Sequence, residues 1–279
     1  MQNPRTALRG RFRRGLLGGL AVIAAAVSAG CDSAVGIPGD GSEPATTTGA
    51  TTTADTATTG ANAPGDTPGN PVSEAGLAAW AADLRTGDLD SLEQKCWTMA
   101  PLNVRGMYAE SAPILAALEQ PGAHNGTTTV WKGPAVTVVA PDRALATDYA
   151  CPYVFPAGTE VAYNDADARH TVRRYLSRLI GEPIDPADTE AAYPLVCAAR
   201  AGSWDPEQTG SAGTPPLAAD TDKLTGVTAF IDQSIQSEWP RGDYITVTVP
   251  VTNAAGVQQK RTFTLKSGDE GYCIGDVSP

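Results

Sequence analysis

Five cysteines, at positions 31, 96, 151, 197 and 273, constrain this 279-residue chain more than any other feature. Four of them fall after residue 72, and disulfides need an even number. Disulfides persist outside the reducing cytoplasm, so the count reads as an exported protein. Four cysteines permit three pairings. The fifth, Cys31, stands apart from the rest and calls for a different use.

Charge excludes one class of partner. The formal net charge is −11, and the first 30 residues hold five Arg and no acid. Without that stretch, 15 basic residues face 31 acidic ones. A nucleic-acid binder needs a basic surface, so no nucleic-acid partner is expected. No apolar run reaches the ~18 residues of a spanning helix.

The N-terminus reads as an address. Residues 1–14 are cationic, Gly15 to Ser28 is small and apolar, and Ala29-Gly30-Cys31 follows. A basic region, a short apolar region and small residues at a cleavage point form a secretory signal. Ala29-Gly30-Cys31 resembles the lipobox of bacterial lipoproteins, although Ser28 stands where that family has Leu or another aliphatic residue. The resemblance implies cleavage before Cys31 and acylation of its thiol, which also resolves the odd cysteine. Ordinary cleavage after Val27-Ser28-Ala29 is the alternative. Arg13-Arg14-Gly15-Leu16-Leu17 resembles a twin-arginine signal and reads equally as a generic basic region.

Residues 32–71 contain ten Thr and no aromatic residue, Lys or Arg. Such a segment has too little apolar bulk to offset its ordering entropy. It reads as a stalk, spanning roughly 35 Å as a flexible chain. A low-complexity stalk behind a lipobox cysteine resembles lipoproteins of high-GC Gram-positive bacteria. The expected organisation is a signal at 1–30, a lipidated Cys and disordered stalk at 31–71, and folded sequence from 72 onward.

The folded part carries an internal repeat. Leu77, Trp80, Ala81 and Leu84 lie at helical spacing and lead through Gly87-Asp88-Leu89 to Cys96. Val172, Tyr175, Leu176, Leu179 and Ile180 do the same and lead through Asp185-Pro186-Ala187-Asp188 to Cys197. A second helical pattern follows each cysteine, at Met107–Leu118 with a break near Pro113, and at Leu224–Trp239. Each block then has a Trp, 131 or 239, and strands. In the first block, Val136, Val138 and Ala140 share a face, and after Pro141-Asp142 so do Leu145, Thr147, Tyr149, Cys151, Tyr153 and Phe155. In the second, Ile245, Val247, Val249 and Val251 alternate, Asn253–Gly256 turns, Thr262–Leu265 returns, and Tyr272-Cys273-Ile274 closes. The repeat, and nothing else, selects the pairing Cys96–Cys151 and Cys197–Cys273. It predicts two α+β units, at 72–160 and 161–279. A single mixed domain with a chance likeness is the competing architecture.

This order resembles the nuclear-transport-factor-like superfamily, on Leu84-Arg85-Thr86-Gly87-Asp88-Leu89 with its helical Cys and on Ser267-Gly268-Asp269-Glu270-Gly271-Tyr272-Cys273. The resemblance implies tandem cone-like units in which helices pack on a curved antiparallel sheet, each with one disulfide. Enzymes of that superfamily use acids and a Tyr in the cone, but no stretch of this chain lets those residues be carried over.

Chemistry-bearing motifs are scarce. There is no zinc spacing, no nucleophile elbow and no phosphate-binding glycine loop, so neither a metal nor a cofactor is expected. Asp165-Ala166-Asp167 opens like a calcium loop, but His170 and Leu176 occupy positions that need Gly and Glu. Asp165 or Asp167 reads instead as the beginning of the following helix, where an acid satisfies free amides and the helix dipole. His124 and His170 read as surface residues. Asp83, Asp88 and Asp90 read as caps and solvated acids around a helix break. Trp80, Trp131, Tyr175 and Trp239 read as core. Arg169, Arg173, Arg174 and Arg178 lie opposite the apolar face of one helix. They read as an anion-docking face or as a solvated face paired with acids.

Together these readings predict a lipid-anchored protein on the extracytoplasmic side of the cell membrane. Its role is non-catalytic binding of a partner protein or of a small apolar or anionic envelope ligand. The rivals are an enzyme of isomerase or hydratase type and a purely structural envelope protein. A buried Asp or Tyr in a roomy apolar pocket favours enzyme or carrier; a pocket filled by Trp and Leu favours an interaction module.

Overall fold

A computed structural model describes residues 71–278 except 239 and 240. The signal, Cys31, the stalk and Trp239 lie outside the described residues.

The chain opens with helices α1 (Pro71–Thr86), α2 (Leu89–Lys95), α3 (Pro101–Met107) and α4 (Ser111–Leu118). Leu77, Trp80, Ala81 and Leu84 are all buried, as their spacing predicts. Gly87 takes a positive φ of 72° and ends α1, a conformation that costs glycine little. Asp88 then caps α2, its carboxylate accepting the Ser91 amide at 3.1 Å. The predicted helix over 107–118 is in fact α3 and α4, with the break at 108–110. Pro113 sits in the first turn of α4, where its missing N–H has no helical partner to lose.

Strands β1 (Ala123–Asn125), β2 (Thr128–Lys132), β3 (Val136–Pro141) and β4 (Tyr153–Pro156) form an antiparallel sheet in that order. Between β3 and β4, Asp142–Leu145 makes a single helical turn, α5. A strand expected from Leu145 to Phe155 is therefore confined to β4. Asp-Arg-Ala-Leu-Ala favours a helical turn, and Thr147 ends it by bonding to the Ala144 carbonyl at 2.7 Å. Pro152 lacks an N–H for a ladder, which delays the strand to Tyr153.

Helix α6 (Asp165–Leu179) follows, then an irregular stretch, the short helix α7 (Pro216–Ala219) and β5 (Val227–Phe230), β6 (Gln236–Ser237), β7 (Tyr244–Asn253), β8 (Gln258–Gly268) and β9 (Gly271–Ser278). The second sheet runs β5-β7-β8-β9, antiparallel, with β6 also on β7. The helix expected over 224–239 is absent: two 3-10 turns and the strands β5 and β6 take its place. Gly226, at φ 82°, turns the chain, and Val227-Thr228 then suits a pleated edge that satisfies the open side of β7. Ile245, Val247, Val249 and Val251 face inward as their alternation predicts.

The fold is thus α+β with two antiparallel sheets. Two groups of buried side chains form the interior. One is built from residues 77–154 around Trp80, Tyr108 and Trp131, the other from residues 163–277 around Leu176, Phe263 and Ile274. Tyr153 packs against both. Cys96 is bonded to Cys151 and Cys197 to Cys273, the pairing that the repeat selects.

The bridges close loops of 55 and 76 residues. Loops of this length confer about 4 kcal/mol each through the unfolded chain. Replacing either pair by serine is expected to lower the urea-unfolding free energy by that amount. A loss under about 1 kcal/mol would contradict the entropic account.

Candidate functional site

Helix α6 packs its apolar side chains into the second core and turns polar ones toward the first half of the chain. Asn164 caps it, accepting the Ala166 amide at 2.9 Å, and Asp167 closes the box by accepting the Asn164 amide at 3.0 Å. The cap is Asn164, and Asp165 begins the helix as expected, with Asp167 in the same first turn. Val172 and Leu176 enter the second core. The opposite side of the helix meets α3 and the loop after α2.

That contact is polar and buried. The Asn103 amide donates to Asp167 at 2.7 Å and exchanges a second pair of bonds with Asn164 at 2.9 and 3.1 Å. His170, read as a surface residue, is only 4 % exposed, and its Nε2 lies 2.8 Å from the Trp97 carbonyl oxygen. His170 lies i+3 from Asp167 and i−4 from Arg174, two further buried polar residues of this side. At the far end Arg143 pairs with Glu270 at 2.7 Å. Between these contacts lies a cavity of about 60 Å³, bordered by Tyr153, Asp167, His170, Arg174 and Tyr272.

Burial governs the protonation of this seam. It raises the Asp167 carboxyl above its ordinary range, against the opposing bonds from Asn164, Asn103 and Tyr153. It lowers His170 to about 4, helped by the positive charges of Arg174 and Arg173 and opposed by the Trp97 carbonyl and Asp188. His170 is therefore neutral near pH 7. Its Nε2–H donates to Trp97, which leaves Nδ1 as the acceptor facing Arg173 at 3.5 Å.

The four arginines of α6 do not form an open cationic face. Arg169 pairs with Asp165, and Arg173 with Asp232 on the turn before β6. Arg174 is buried, its guanidinium 5.1 Å from the ring of Trp97 and 5.8 Å from that of Tyr193, two rings that meet edge to face at 4.9 Å. It holds Asp188 by two bonds, at 2.6 and 3.2 Å. Arg178 reaches the same carboxylate, and Glu190 at 2.8 Å. Burial alone would raise the Asp188 carboxyl; the bonds from Arg174 and Arg178 outweigh it and hold the group below its ordinary range. Two arginines four apart on one helix are a legible sign of a shared anion. Its source, Asp188 in a loop, is not.

The remaining candidates are structural. His124 is exposed and pairs with Asp142 at 2.7 Å. Asp83 takes Lys95 at 2.6 Å and the Tyr149 hydroxyl at 2.8 Å. Asp90 takes Arg105 at 2.6 Å. Trp80 and Trp131 are core, and Tyr175 is half-buried against Phe263. Among the described residues no cluster of His, Cys, Asp or Glu suits a metal ion.

A wider groove of about 690 Å³ runs on the outer side of the same contact. Trp97, Met99, Pro101 and Ile184 are its apolar lining, and Glu93, Arg105 and Arg173 are among the charged residues around them. Nearby on α3, Leu102 is 72 % exposed. The sequence reading missed Trp97 altogether, because it follows Cys96 outside any periodic pattern. Compared with protein-family models, with curated proteins and with solved structures, the chain matches none.

Two predictions follow from the seam. Between pH 6.5 and about 4 the unfolded chain protonates His170 while the folded one does not. Stability therefore falls as pH drops through that window, by about 3 kcal/mol from this group. The raised Asp167 opposes it in the carboxylate range, since there the folded chain holds the extra proton. His170→Gln is expected to flatten the decline, read from urea midpoints against pH. Separately, Asp188→Ala strands the buried Arg174 guanidinium, while Arg178 keeps Glu190 and the Tyr193 carbonyl, and is expected to cost about 3–5 kcal/mol. A loss below about 1 kcal/mol would show that the pair is solvated in solution.

Proposed function

We propose that this protein is a lipid-anchored lipoprotein on the outer side of the cell membrane, and that its folded part is a non-catalytic binding module. Cys31 carries the lipid, and the acidic, Thr-rich segment behind it is the tether. The two disulfides suit an oxidising compartment. Each sheet, with its helices, core and disulfide, is a cone-like unit of a tandem pair.

The observation that carries the binding role is the groove beside Trp97. Its volume lies within the range of ligand sites, and its lining combines an aromatic ring, aliphatic surface and charged side chains. The seam argues against catalysis. Asp167 and Tyr153 are buried there, but Asp167 is held by Asn103 and Asn164, and about 60 Å³ admits a few waters rather than a substrate. The occupant is a partner protein in the envelope, which Leu102 and Ile184 meet as exposed apolar side chains.

Two measurements test this in an exporting Gram-positive host. Cys31→Ala is expected to move most of the protein from the membrane fraction to the medium; retention in the membrane would refute the anchor. A photoreactive residue at Ile184 is expected to give a discrete protein adduct that the same residue at Val257, on the β7–β8 loop, does not give. Equal labelling at both places, or none at 184, would refute the groove.

A further inference from the structure

The outer face of the second sheet holds a second, chemically different cavity, of about 270 Å³. Its origin is a β-bulge. Thr264 is opposite Asp276 and Leu265 opposite Ile274, so Gly275 is the extra residue of β9. The Trp204 ring packs onto that glycine so closely that a Cβ there would lie 2.1 Å from it. Tyr244 stands perpendicular to Trp204 at 5.2 Å. Its hydroxyl accepts the Asp205 amide at 2.8 Å, and Lys266 covers its ring at 5.6 Å. Tyr244, partly exposed, is thus the aromatic wall, and Trp204, only 6 % exposed, holds it in place before any ligand arrives.

We infer that this cavity is a site for an uncharged polyhydroxyl ligand, a sugar or short glycan. The floor is the row of outward side chains on β7, β8 and β9, with Thr246, Thr264 and Ser278 supplying hydroxyls and Asp276 a carboxylate. Glu207 and Arg241 stand at the edge. Several of these groups have hydrogen-bonding capacity left. Thr246 takes one oxygen of Glu238, and Lys223 takes one oxygen of Asp276. Among the described residues, the hydroxyls of Thr264 and Ser278 and the indole N–H of Trp204 meet no protein partner. A ligand here needs donors and acceptors in alternation, which adjacent hydroxyls provide, together with C–H surface for the ring edges. Lipid does not fit a lining of hydroxyls and carboxylates. A polyanion is opposed by Glu207, Glu238 and Asp276. A metal ion lacks a suitable ligand cluster among the described residues.

The test uses the mature protein from an exporting host, labelled with nitrogen-15, and follows the Trp204 indole N–H, assigned through its contact with Gly275. Three trisaccharide probes separate the chemistries: triacetylchitotriose is uncharged, its deacetylated form is cationic, and trigalacturonate is anionic. Triacetylchitotriose is expected to shift the Trp204 resonance saturably, with Kd about 1 mM or tighter. Glu207→Gln combined with Thr264→Val is expected to weaken it about tenfold, the Trp204–Gly275 contact remaining. The inference is overturned if no probe gives a saturable shift, if only a charged probe does, or if the double variant binds as tightly as the parent. The Trp97 groove lies on other elements, so neither result bears on the partner-binding reading.

Discussion

The Asp188 carboxylate, held by Arg174 and Arg178, is the interaction on which the rest depends. It fixes the loop after α6 against the helix, and that loop continues through Tyr193 to Cys197 and β9. Arg174 in turn lies over Trp97, and the Trp97 carbonyl meets His170. One buried anion thus connects the loop, α6 and the segment after α2. Such an arrangement gives little net stability over a hydrophobic replacement, since both charges lose water. What it provides is direction: a guanidinium held at two points admits one arrangement of its neighbours.

Where burial follows a simple period, the sequence announces the structure. The apolar spacing of α1 and the alternation along β7 correspond to what is buried; of the apolar face expected on α6 only Val172 and Leu176 are buried, and Leu179 is 37 % exposed. The disulfide pairing expected from the order of features is also the one found, because that expectation concerns order rather than geometry. The failures have separate physical causes. Over 224–239 the apolar residues fit a helical period, but an open edge of β7 needed hydrogen-bond partners, and that demand is invisible in the segment itself. Over 145–155 the alternation was genuine, but a single helical turn and Pro152 interrupted it.

The candidate sites were less legible than the fold. His170 and the arginines were visible as residues, but their surroundings come from Trp97, Asn103 and Asp188, which belong to no periodic pattern. Polar residues in loops acquire meaning only from what the fold brings beside them. Gly275 shows the same limit. A glycine in a strand hints at a bulge, yet nothing nearby in sequence names Trp204 as the ring that lies on it.

Neither disulfide crosses the seam between the two cores. Cys96–Cys151 lies within the first group of buried side chains, and Cys197–Cys273 joins elements of the second. Under tension applied at the two ends of the described chain, the covalent links therefore carry load only inside each half. What holds the halves together at the seam is noncovalent: the polar contact made by Asn103, Asn164, Asp167, His170, Arg143 and Glu270, with Arg174 over Trp97 beside it. A molecule pulled this way would part along a polar plane and keep two stapled pieces, each with its core closed. The path of rupture is written into where the sulfur bridges are absent.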